Sequence, residues 1–252
     1  MATSLDLAGN GPKTPQELRQ LHLFNDVADE VLEEVFALLR RTKFKNRATS
    51  MVERDFHARV AFVWSGEYRV GVTTPHGETV TMYGVKPRDA FGFAVALAGH
   101  SFGDAHRLFV DRGGVIVDIP TDYFLSLSDK SAAFAKDLTR TLVTHALNYG
   151  ARVYELAAGN ARNRLLAELI RHAHLVPGGD RRRLNPSPTQ ASLAALIGAT
   201  REGVSRQLHA LKEEGVIELD RGKITIVSLG ALQKMDERAM GRRLFLPYSR
   251  PD

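Results

Sequence analysis

The chain has 252 residues, 44% of them hydrophobic, with a formal net charge of +5 and no cysteine. That length and apolar content can bury the cores of two modest domains, and the missing thiols exclude disulfides, a thiolate zinc site, an iron–sulfur cluster and a cysteine nucleophile. Charge is segregated: from residue 160 onward there are 16 Lys and Arg against 10 Asp and Glu, whereas the earlier part has 18 against 19, which suggests a nucleic-acid-binding module attached to something else.

Residues 1–15 are polar, with Gly, Pro and Asn, and are expected to be a flexible lead-in. The first thirty residues lack the layout of a signal peptide, and no run of 18 apolar residues occurs, so a cytoplasmic protein without a membrane partner is expected. Residues 16–42 read as one helix, with Val27, Val31, Leu32, Val35, Leu38 and Leu39 on its apolar face and Asn25 or Asp26 as its cap. From there to Pro120 the period shortens. Val60–Val63, Tyr68–Val72, Thr79–Tyr83 and Val115–Ile119 are short and β-rich, and turn residues separate them, as in an antiparallel sandwich or barrel. Residues 16–129 are therefore assigned to one β domain.

Residues 130–159 read as a long helix. Leu138, Leu142, His145, Tyr149, Val153 and Leu156 recur at three- and four-residue steps, the spacing of a coiled-coil seam, so a parallel homodimer is expected. Packing of the same stripe on the β domain is the alternative, but it leaves the length of the helix unexplained. Gly159-Asn160 interrupts the helix, and a second one runs on through Leu175 to Pro177-Gly178-Gly179.

Residues 160–232 hold the most specific pattern. A helix over Thr189–Ile197, a turn at Gly198-Ala199, a helix over Arg201–Glu214 and two short strands around Arg221-Gly222-Lys223 make a helix-turn-helix with a β wing. In such a motif the front of the second helix enters the major groove of double-stranded DNA. With Thr200 as N-cap, Val204, Leu208 and Leu211 face inward, and Arg201, Glu202, Ser205 and Arg206 face outward. Arg matches guanine O6 and N7, and Glu accepts from cytosine N4, so Arg201, Glu202 and Arg206 are the expected base readers.

Over residues 18–232 the chain resembles the Crp/Fnr family of bacterial transcription regulators, most closely in Thr189-Gln190, Leu193-Ala194, Gly198 and Arg201-Glu202-Gly203-Val204-Ser205-Arg206. The resemblance implies an α+β chain: an N-terminal antiparallel β-roll of the cyclic-nucleotide-binding type, a dimerisation helix and a C-terminal winged helix-turn-helix. It also implies reading of a TGTGA-type inverted repeat, phosphate contacts from Thr189, Gln190, Ser205, Arg221 and Lys223, and RNA polymerase as a further partner. The tail from Leu229 to Asp252 extends past the usual end of the family's winged domain, with 233–252 assigned as a C-terminal extension; a short helix is expected in the first half of the tail, and an arm to DNA, the other subunit or polymerase in the second.

The effector segment departs from the family. Cyclic-AMP-binding members carry Gly-Glu and, about ten residues on, Arg-Ser; here Gly92 is kept, Phe93 or Ala94 takes the Glu position, and the Arg-Ser position falls near Asp104, which would repel a phosphate. On the long helix only the phenol of Tyr149 stands where the adenine contacts fall. Control by cyclic AMP is disfavoured, no cofactor is required, and the leading reading is an effector-independent dimer with Phe91, Phe93 and Phe102 filling the pocket. Cyclic di-GMP, using Arg88, His106, Arg107 or Arg112, stays open, and haem on His57, His76, His100 or His106 is a remote reading. A cupin-like enzyme with a basic accessory domain would need clustered metal ligands. His172 and His174, two apart on a helix, make no such pair, and no nucleophile or phosphate-loop motif occurs, so neither catalysis nor a metal is expected.

Overall fold

The computed structural model describes residues 11–45, 49–52, 58–73, 79–99, 106–174, 176, 178–185 and 187–241. They fall into two compact units, Met1–Leu142 and Val143–Asp252.

The first unit contains two antiparallel four-stranded sheets. One has the order β1 (Arg40–Phe44), β8 (Gly114–Pro120), β3 (Arg59–Val63), β6 (Ala90–Phe91); the other has the order β2 (Thr49–Val52), β7 (His106–Arg112), β4 (Glu67–Thr73), β5 (Thr79–Val85). Alternation along β3 and β8 makes two cores from one sheet. Ala61, Val63 and Ile116 meet Tyr68, Val70, Leu108, Val110 and Phe91 between the sheets. Val60, Phe62, Val115, Val117 and Ile119 point the other way, against a helical layer. Burial on both faces explains why these strands read as nearly continuous apolar runs.

The helical layer corrects the expectation of one helix over 16–42. Pro15–Gln20 and His22–Phe24 form 3-10 turns, α1 spans only Asp29–Leu38 with Ala28 at its N-cap, and Arg40 already belongs to β1. The guanidinium of Arg19 enforces the interruption: it donates to the carbonyls of Asn25 (3.3 Å) and Val27 (2.5 Å) and pairs with Asp29 (2.7 Å). The chain end of α1 is then claimed by ladder pairing of β1 with β8. Phe24, Phe62, Phe124 and Phe134 stack tilted or edge-on, with centroids 5.1–6.4 Å apart, at the centre of this layer.

Short α2 (Phe93–Ala98) and α3 (Thr121–Lys130) lead to the long α4 (Ala132–Ala158), separated from α3 by Ser131 in extended conformation. Asn160 then caps α5 (Ala161–Ala173), its side chain accepting from the Asn163 amide at 3.0 Å.

In the second unit α6 (Gln190–Ile197) and α7 (Arg201–Glu213) pack on α5 through Leu165, Leu166, Leu169, Leu193, Ile197, Val204, Leu208 and Leu211. A three-stranded wing follows, ordered β10 (Ile217–Asp220), β11 (Lys223–Ile226), β9 (Arg182–Arg183). The sequence suggests only the first two strands. The closing helix α8 (Leu229–Met240) runs through residue 232, where the winged domain was expected to end, and buries Leu229, Leu232 and Met240.

Candidate nucleic-acid interface

α6 and α7 are joined by a tight corner. Gly198 ends α6 with φ of 61°, a conformation that costs a residue without Cβ nothing. The Thr200 hydroxyl oxygen accepts from the Gly203 amide at 3.1 Å, starting α7 two residues later. At the mouth of α6 the Thr189 oxygen accepts from the Ser192 amide at 3.0 Å, which leaves its O–H free to donate outward.

α7 is strongly two-sided. Val204, Leu208 and Leu211 are buried against the unit's core, whereas Arg201, Glu202, Arg206 and His209 are exposed and Ser205 lies beside them. Among the described residues, none of the side chains of Arg201, Glu202 and Arg206 has a hydrogen bond or ion pair within the chain. Nearby arginines are committed differently. Arg162 grips Glu214 with two bonds of 2.6 and 2.7 Å, Arg164 donates to the carbonyls of Ile197 (2.7 Å) and Gly159 (2.8 Å), and Arg182 donates to those of Ala173, Val176 and Gly179. Positive charge therefore sorts into side chains that brace the unit and side chains left free on its surface.

The wing adds to the free set. Arg221 (φ 43°) and Gly222 (φ 79°) both have positive φ, as the two-residue hairpin turn of type I′ requires. A non-glycine residue is uncommon there. Arg221 and Lys223 are exposed at this tip. Arg183, which sequence reasoning leaves in a basic loop, pairs with Thr225 on β11 and is exposed. The signal that could have found it is the Arg182–Arg183 alternation, one side chain turned inward to cap carbonyls and the next outward. Gln190 occupies the first position of α6, half-buried.

The stripe on α4 splits. Leu138 is 5% exposed and belongs to the helical layer's core, so it leaves the expected seam: Phe134, one turn earlier, carries the helix face into that core. From Leu142 onward the apolar residues face outward: Leu142 is 37%, Tyr149 38%, Val153 65% and Leu156 62% exposed. His145 stacks edge-on with Tyr149 at 6.2 Å, and burial holds its imidazole below the usual range.

The residues expected at an effector pocket are scattered. Phe93 is buried in the helical-layer core, not between the sheets where Phe91 lies, because α2 starts at Phe93 and turns it that way. Arg107 alternates with the inward Leu108 and Val110 and so lies on the outer face of its sheet. Arg88, at a φ of 82°, donates to the carbonyl of Gln20 at 2.7 Å, while Gly92 caps α2 at a φ of 82°. His106 opens β7, and Tyr149 belongs to the other unit. Asp104, Phe102, His57, His76 and His100 lie outside the described residues. Among the described residues no group of three His, Asp or Glu could hold a metal ion.

The fold is a winged helix-turn-helix domain preceded in the chain by a double-sheet β domain. A Crp-like helix-turn-helix domain matches residues 163–235. The chain is similar to a cyclic AMP receptor protein of Thermus thermophilus, 26% identical over 215 residues that cover 84% of this chain and 95% of the relative. Among solved structures it resembles a CooA variant from Carboxydothermus hydrogenoformans (TM-score 0.65, 17% identity, 94% of this chain and 97% of that one). It also resembles CLP from Xanthomonas campestris, a c-di-GMP-responsive global regulator (TM-score 0.62, 14% identity, 80% of this chain and 100% of that one). The chain thus carries a Crp-like helix-turn-helix domain over residues 163–235 and, over most of its length, is similar to proteins of the Crp/Fnr type. The matched helix-turn-helix domain and the similarity to a cyclic AMP receptor protein favour a DNA-binding regulator over the cupin-like enzyme reading.

Proposed function

We propose that the protein is a homodimeric regulator that reads a TGTGA-like inverted repeat in double-stranded DNA through Arg201, Glu202 and Arg206. The observation that carries this is the outer face of α7: three side chains of the right chemistry, exposed and uncommitted, on a helix whose other face is anchored in a core. Thr189, Gln190, Ser205, Arg221 and Lys223 contact phosphates and set the register of the helix in the groove. The subunits pair along the α4 stripe of Leu142, His145, Tyr149, Val153 and Leu156. RNA polymerase is the further partner at the promoter, and the cytoplasm is the compartment; no helix among the described residues is long and apolar enough to cross a membrane.

Regulation does not follow the usual cyclic AMP route. Tyr68, Val70, Phe91, Leu108 and Ile116 occupy the space between the sheets, in support of a dimer that is competent without a small molecule. A second reading, control by cyclic di-GMP, is favoured by the similarity to a c-di-GMP-responsive regulator. Selection of bound sequences from randomised DNA tests the base-reading assignment. Enrichment of an inverted repeat with TGTGA-type halves supports it, and enrichment of an unrelated or direct-repeat motif contradicts it.

A further inference from the structure

The end of α4 is tied to the DNA-binding unit by a buried network of charge. The carboxylate of Glu168 on α5 accepts from Arg152 of α4 (3.1 Å) and from Arg171 (3.2 Å), and Arg171 also pairs with Glu155 of α4. His172 donates from Nδ1 to the Glu168 carbonyl at 2.9 Å and lies 3.3 Å from its carboxylate. The second nitrogen of Arg152 leaves the network and donates to the carbonyl of Leu196 at 3.1 Å. That carbonyl belongs to the last turn of α6, where no intrahelical donor remains, two residues before the corner that leads into α7. The four charged side chains are 4–18% exposed, two positive and two negative. Burial alone would raise the Glu168 carboxyl, but the hydrogen bond from His172 and the charges around it hold it well below the usual carboxylate range.

Stability does not require such a device, because apolar side chains of similar size commonly hold a fold as well or better. What the ions add is direction. A guanidinium fork fixes both bonded partners in one plane, and Arg152 spends one arm on α5 and the other on α6. The same two turns of α4 display Val153 and Leu156 to the outside. We infer that the network of Arg152, Glu155, Glu168 and Arg171 fixes the recognition helix relative to the dimer seam, and so sets the single half-site spacing the dimer accepts. The inference rests on the proposed pairing along α4. Helical DNA makes the requirement strict, since one base pair moves a half-site by about 3.4 Å along the axis, and matched half-sites lie one helical turn apart.

The test uses the full chain and a panel of inverted repeats whose centres differ by single base pairs, with one half-site alone as reference. Arg152→Met is compared with the fourfold variant Arg152→Met, Glu155→Leu, Glu168→Met, Arg171→Met, which keeps volume and removes all four charges; circular dichroism shows which of them is folded. The wild type should prefer one spacing at least tenfold over its neighbours. In the folded variants that preference should drop below about threefold, with sedimentation as a dimer and affinity for a single half-site unchanged. A folded, dimeric variant with the wild-type spacing preference overturns the inference alone. A wild-type protein that sediments as a monomer overturns the pairing along α4 and this inference with it.

Discussion

Replacing Arg206 with Ala removes an exposed side chain that has no partner among the described residues, on the face of α7 opposite Val204, Leu208 and Leu211. Folding stability should therefore stay within about 0.5 kcal/mol of the wild type. Binding should not. Removing a bidentate guanine contact costs about 1–3 kcal/mol, and a dimer on an inverted repeat forfeits it twice, at separated positions that add, for about 2–6 kcal/mol. At 1.4 kcal/mol per tenfold, operator affinity falls roughly 30-fold to 20,000-fold. Random DNA feels only the removal of one charge per subunit. Fluorescence anisotropy at fixed salt, on the operator, on a repeat altered at the contacted guanine and on random DNA, separates the effects. The variant should bind operator and altered repeat almost equally; equal losses on operator and random DNA, or a large fall in melting temperature, would refute direct readout by Arg206.

Lys223→Ala should weaken binding to every sequence and make the slope of log affinity against log salt shallower by about 1 for each phosphate no longer neutralised; an unchanged slope denies that Lys223 meets a phosphate. Leu142→Glu or Val153→Glu puts charge on an outward apolar stripe, and sedimentation should report monomers, whereas an intact dimer moves the seam elsewhere. Burial lifts the carboxyl of Asp89 to about 6, against the smaller opposing effects of the Lys86 amide and the charges of Lys86 and Arg88. Raised above its unfolded value, this group contributes stability that is present below about pH 4 and lost as pH rises through 6. Asp89→Asn should accordingly melt near the wild type at pH 4 and above it at pH 7, with the gap levelling off past pH 6; a gap that does not vary with pH would mean that Asp89 is not shifted.

The winged helix-turn-helix was legible because its signals are local. Thr200 as cap, Gly198 at the corner, and the Val204, Leu208, Leu211 stripe all act within a few residues of one another, whereas Thr189, read as the first residue of its helix, is that helix's N-cap. The four short β-rich segments between turn residues were legible as strands for the same reason. What escaped depends on distant partners. β1 looks helical until β8, more than seventy residues later, pairs with it, and β9 exists only because Thr225 and Ile226 lie alongside two arginines. Leu138 has the spacing of the seam, but its position beside Phe134 sends it into the core. Phe93 and Arg107 show the limit for sites: the sequence brings both to the effector segment, and only the start of α2 and the pleat of β7 decide which way each points. The charge network between α4 and α5 was invisible for a related reason, since acidic and basic residues on consecutive helices usually read as solvated faces.

The dimer should bind its operator sequence-specifically and without any small molecule. Titration of the purified full chain into a labelled fragment with a TGTGA inverted repeat, at fixed salt, alone and with cyclic AMP, cyclic GMP or cyclic di-GMP, tests this most directly. Tight binding without additive, far above that to random DNA and unchanged by all three nucleotides, is the predicted result. Binding that appears or disappears with one nucleotide would contradict the effector-independent reading, and failure to prefer the repeat under any condition would contradict the assignment of Arg201, Glu202 and Arg206.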